Sequence, residues 1–145
     1  MTRGRWSPRA AGGALALLAL TAGCTYYPTA PDVGGVRLQP EKGRAVRSPT
    51  ANEAVVYFDL KSTGKYGDVL LGAQAPVARR AELRSPSGRQ VSEIDIPGQS
   101  VLKFDKDGPR IVLSDLTRTL TPGEVIIVTV YFQKSGAIGI ITVVE

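Results

Sequence analysis

The sequence predicts an all-β domain, a single antiparallel β-sandwich or barrel, set behind an export signal and a short tether. Three observations carry this. Apolar residues recur with period two from Val36 onward, turn signals separate the runs, and no segment sustains an apolar stripe at helical spacing over three turns. The composition agrees: of 145 residues, 43% are apolar and 21% charged, an ordinary globular balance for a chain of one domain.

The first element is an address. Met1 to Arg9 carries Arg3, Arg5 and Arg9 without an acid, and Ala10 to Leu20 follows as an unbroken small and apolar run. Thr21-Ala22-Gly23 then leads into Cys24, the only cysteine of the chain. A basic stretch, a short apolar stretch and small residues before a cleavage point are the parts of a secretory signal peptide. Ala10 to Gly23 is 14 residues, against the roughly 20 that a helix needs to cross the hydrocarbon core. A permanent span is not expected.

Removing residues 1–23 takes three cations and no acid, so 18 Lys and Arg become 15 against the same 13 Asp and Glu. The basic excess belongs largely to the leader. Arg79, Arg80, Arg84 and Arg89 form the only local cationic group, and no aromatic residue near them offers a base a stacking partner. They read as a solvated face, with no nucleic-acid partner expected.

Residues 24–35 read as a tether, with Pro28, Pro31, Gly34 and Gly35 and no apolar period. Tyr26 and Tyr27 are either headgroup-level aromatics or exposed linker residues. Residues 36–145 make the domain. Val56, Phe58 and Leu60 alternate with Tyr57, Asp59 and Lys61; Ile94 and Ile96 flank Asp95. Ile126, Val128, Val130 and Phe132 alternate with Ile127, Thr129 and Tyr131, and Ala137 to Val144 closes the pattern. The Ile126–Phe132 run should be a central strand with its even positions inward. Turns fall at Ser62-Thr63-Gly64, Ser85 to Gly88, Pro97-Gly98, Asp107-Gly108-Pro109, Pro122-Gly123 and Ser135-Gly136.

Chemistry is narrow here. The chain has no histidine, so it has neither a Ser-His-Asp triad nor an imidazole metal ligand. One cysteine permits no internal disulfide and no multi-cysteine metal centre. Ser100-Val101-Leu102-Lys103, Ser114-Asp115 and Lys134-Ser135-Gly136 echo the three motifs of penicillin-recognising serine enzymes, but within β patterning and too close together. Asp105-Lys106-Asp107-Gly108 reads as a hairpin turn, since it lacks the ligands of a calcium loop. No enzyme is expected.

Two resemblances add to this reading. The small residues running into Cys24 resemble the lipobox of bacterial lipoproteins, although Thr21 stands where an aliphatic residue is usual. This implies a diacylglycerol on the Cys24 sulfur, Cys24 as the new N-terminus, and an anchor on the extracytoplasmic face of the cell membrane. Two acyl chains hold stably where one holds marginally, at about 0.8 kcal/mol per buried methylene.

The second resemblance is to the periplasmic copper chaperone family PCu(A)C. It rests on Ala54 to Gly64, on Ala81-Glu82-Leu83-Arg84, and most on Gly108 to Gly136, with Arg110-Ile111-Val112-Leu113 and Leu120-Thr121-Pro122-Gly123-Glu124. It covers residues from about 43 to 145 and implies a cupredoxin-like β-barrel. The family holds Cu(I) with His and Met side chains. Here Arg84 stands at the first histidine, and Arg110 and Val112 stand at the later His-x-Met pair. Period two places Arg110 and Val112 on one face. The resemblance therefore implies the architecture without the ligands, and so no bound metal or other cofactor. The expected function is a lipid-anchored envelope protein that binds an envelope protein partner, with accessory copper handling as the alternative. Internal carboxylates such as Asp105 or Asp107, or those of a partner, are the groups an arginine pair would meet.

Overall fold

A computed structural model describes residues 35–145; the leader, Cys24, Tyr26 and Tyr27 lie outside the described residues. Ten strands follow one another: β1 (Leu38–Arg47), β2 (Glu53–Ser62), β3 (Asp68–Gln74), β4 (Ala78–Arg84), β5 (Gln90–Val91), β6 (Ile94–Ile96), β7 (Ser100–Phe104), β8 (Arg110–Leu116), β9 (Val125–Phe132) and β10 (Gly136–Val144). They form one sheet in the order β5-β4-β8-β2-β1-β10-β9-β3-β6, with β7 also paired to β2. The expected all-β architecture is present, and no helix of the described residues is long and apolar enough to cross a membrane.

Alternation fixes which way each strand faces, and the core follows from it. Ala54, Val56, Phe58 and Leu60 of β2 point inward, as do Ile126, Val128, Val130 and Phe132 of β9, all at 5% exposure or less. Phe58 stacks on Phe104 of β7 with ring centroids 4.2 Å apart. Strand β9 is central as expected, paired to β10 on one side and to β3 on the other. Its outer row is unusual: Val125 and Ile127 stand opposite Val143 and Ile141 of β10, and all four side chains are exposed. The β-branched run thus builds two apolar faces rather than one.

Strand β2 divides its partners. Glu53–Val56 pairs with β8, and Phe58–Ser62 pairs with β7. Residues 105–109 make the crossing between these partners, where the Asp107 amide donates to Asp105 Oδ1 at 2.9 Å and the Gly108 amide to the Asp105 carbonyl at 3.2 Å. The segment is a turn, closed by the side chain of its own aspartate, but not the expected hairpin: β7 and β8 both run antiparallel to β2 and follow one another along it.

One pairing departs from the antiparallel expectation. β1 runs parallel to β10, with Gly43, Arg44 and Ala45 opposite Thr142, Val143 and Val144. Before that stretch a bulge between Glu41 and Arg44 breaks the β1–β2 register, with Lys42 at a φ of 54°. Gly43 is required there: a Cβ would run into the Ile141 carbonyl of the neighbouring strand.

A buried carboxylate ties the start of β3 to the β9–β10 turn. Asp68 Oδ1 accepts the amides of Val69 (2.8 Å) and Lys134 (2.9 Å); Oδ2 accepts the amide (2.9 Å) and hydroxyl (2.7 Å) of Ser135. Burial raises the pKa of Asp68, but the Ser135 hydroxyl and these amides together bring it below its ordinary value.

Candidate functional site

Strand β4 ends at Arg84 and β8 begins at Arg110, and their register makes these two residues direct cross-strand partners. The same register sets Glu82 opposite Val112. Residues two apart on a strand share a face, so Glu82, Arg84, Arg110 and Val112 form one outer square. The structure therefore brings together the three positions at which the resemblance places the family's ligands. Val112 is 7% exposed and forms the apolar corner of the square, while Ile111 and Leu113 point to the core on the opposite face and are fully buried.

The turn after β4 shapes one side. The Ser85 amide donates to the Arg89 carbonyl and the Gly88 amide to the Ser85 carbonyl, each at 2.8 Å. Gly88 sits at a φ of 87°, in the left-handed region that disfavours a side chain. Arg84 Nη1 donates to the Gly88 carbonyl at 3.2 Å and Nη2 to Glu82 Oε2 at 2.8 Å; its Nε is buried and has no partner. Arg110 Nη1 donates to the Lys106 carbonyl at 3.0 Å. A Cβ built on Gly88 would lie 3.2 Å from Arg110 Nη2. Both guanidinium groups therefore converge on Gly88.

This corrects one expectation. The carboxylate met is Glu82, which bonds Arg84 alone, not Asp105 or Asp107. Asp105 commits its Oδ1 to the turn that it closes, whereas Glu82 stands two residues before Arg84 on the same face. That spacing was in the sequence and is the signal that finds Glu82; the convergence on Gly88 depends on turn geometry and carries no such signal. The remaining cations behave as a solvated face, with Arg80 paired to Asp115 at 3.0 Å and both side chains exposed.

Neither other constellation assembles. Ser100 and Ser114 lie beside opposite ends of β2, opposite Ser62 and Glu53. The Ser135 hydroxyl is held by Asp68. Among the described residues, no group of three His, Cys, Asp or Glu side chains is placed to hold a metal ion.

A barrel-like sheet of this strand order, with Arg84 closing β4 and Arg110 opening β8, has the cupredoxin-like fold of PCuAC domains. Solved structures bear out the fold. The copper-bound PCuAC domain from PmoF2 matches with a TM-score of 0.68 at 19% identity, covering 77% of this chain and 95% of that one. The Cu(I) form of DR1885 from Deinococcus radiodurans matches with a TM-score of 0.65 at 21% identity, covering 80% and 81%. The chain itself belongs to the LpqE-like family, described as "Putative lipoprotein LpqE-like", which matches residues 32–144. Comparison with curated proteins finds no match.

Proposed function

We propose that this protein is a non-enzymatic lipoprotein of the bacterial cell envelope. It is anchored through Cys24 on the extracytoplasmic face, and its copper-chaperone-like domain serves as a protein-interaction module. The observation that carries the reading is the Arg84–Arg110 pair, in register at the positions where the family resemblance puts metal ligands.

Cu(I) is soft and selects thiolate and thioether sulfur, with imidazole as a companion. The chain offers no histidine, a single methionine at position 1 and a single cysteine at position 24. Two permanent cations at the site repel a metal ion rather than hold it. The residues present therefore do not fit copper. The exposed apolar row of β9 and β10 supports an interaction role, because contiguous apolar surface on a folded domain marks contact sites.

Titration of the protein with Cu(I) against a competing chelator tests the reading. No stoichiometric complex is expected at nanomolar affinity. Its appearance would favour the second reading, accessory copper handling, which the likeness to copper-bound domains supports. The anchor is tested separately. Wild type should enter the detergent phase on phase partitioning and Cys24→Ser should stay aqueous; two aqueous proteins would remove the lipid from the account.

A further inference from the structure

We propose that Arg84 and Arg110 form a fork for a carboxylate of a partner protein, an aspartate or glutamate side chain presented by an acidic segment. This rests on the reading that no metal occupies the pair. Like charges directly opposite on neighbouring strands destabilise a sheet, so the pair needs an anion. Within the described residues the only carboxylate in contact is that of Glu82, through one short N···O approach to Arg84. Arg110 has no carboxylate within 4 Å among those residues, and only a carbonyl takes one of its donors. The Nε–H of Arg84 is buried without a partner and its Nη atoms each make one bond, so the donors open to a partner are the second hydrogens of those Nη groups and the free ones of Arg110.

The charge balance selects the ligand class. Two arginines less Glu82 leave a single positive charge, and the flanking turns add Arg89 and Lys106 against Asp105 and Asp107. One carboxylate neutralises that excess. A phosphate group, at about −1.5 to −2 near neutral pH, would overshoot it beside Glu82. The largely buried Val112 gives the square one apolar corner beside the two arginines. Gly88, without a side chain, leaves the space in front of Arg110 Nη2 open.

The test follows the arginine Nε–H resonances of the full chain in zwitterionic detergent micelles during addition of hexaglutamate peptide. Inorganic phosphate at equal ionic strength is the second arm. Hexaglutamate should shift the signals of Arg84 and Arg110 saturably and bind more tightly than phosphate. Arg110→Gln should weaken it by about tenfold or more, the scale of a lost hydrogen bond between charged groups. Arg110→Lys keeps the charge but not the fork and should recover little of this; it also carries the comparison if the glutamine variant fails to fold. Arg80→Gln, at an exposed ion pair, should stay within about twofold. An unresponsive pair, tighter phosphate binding, or an equal loss in Arg80→Gln would overturn the proposal. The copper titration reports separately: stoichiometric Cu(I) retracts the underlying reading, whereas a copper-free protein indifferent to hexaglutamate retracts this inference alone.

Discussion

Replacing Phe132 with alanine is expected to destabilise the domain by about 3–5 kcal/mol, the range for removing a buried ring from a packed core. The residue is 3% exposed and stands opposite Leu70 of β3, itself fully buried, where β9 joins the last strands of the sheet. The lost term is the transfer of the ring plus the cavity that the rigid strands around it cannot close. Two residues on, Lys134→Ala should cost under about 0.5 kcal/mol. That side chain is exposed, and its ammonium makes only a 3.2 Å bond to the Gly67 carbonyl. Urea unfolding checks both: the midpoint should fall sharply for Phe132→Ala with an unchanged slope, and hardly move for Lys134→Ala. Equal shifts would mean that the strand does not face the core as described.

Asp68→Ala should cost about 1–3 kcal/mol, because it takes the shared acceptor from several part-buried donors. The amides of Val69, Lys134 and Ser135 and the Ser135 hydroxyl all converge on this one carboxylate. Asp68→Asn keeps one acceptor oxygen and should lose less. The pH dependence has a definite sign. The folded pKa lies below the ordinary 3.8, so the carboxylate stabilises the domain fully above the unfolded value. That contribution disappears as pH falls through the folded value. The stability gap between wild type and Asp68→Asn should therefore be largest near neutral pH and shrink below about pH 4. A gap that is flat from pH 7 to pH 2 would show that ionisation of Asp68 contributes nothing.

The sequence announced its strands where burial alternates without interruption. β2 and β9 are of that kind, and their inward residues could be read off directly. β1 was less legible because Pro40, the bulge at Glu41 to Arg44 and Gly43 break its period. β3 hid for a related reason: Val69-Leu70-Leu71 is a continuous apolar run, and a register shift between Leu70 and Gly72 displaces its pleat. β7 resembled an enzyme motif more than a strand, since only Leu102 and Phe104 point toward the core side of β2. At the site, the cross-strand meeting of Arg84 and Arg110 followed from the family framework. The link from Arg84 to Glu82 followed from period two and could have been drawn. The approach of both guanidinium groups to Gly88 could not, because it depends on how the Ser85–Arg89 turn closes.

The parallel seam between β1 and β10 sets the tempo of folding. Ala45 lies opposite Val144, and the Glu145 amide donates back to the Ala45 carbonyl at 2.8 Å; about a hundred residues separate these partners in the chain. Until this seam forms, β1 has only β2 beside it and β10 has only β9, so two half-sheets with bare edges stand apart. Contacts this distant also place the domain among the slow folders, since loop closure precedes any return in pairing. Pairing of β10 with β1 joins the halves, and it closes a loop that spans nearly the whole described domain.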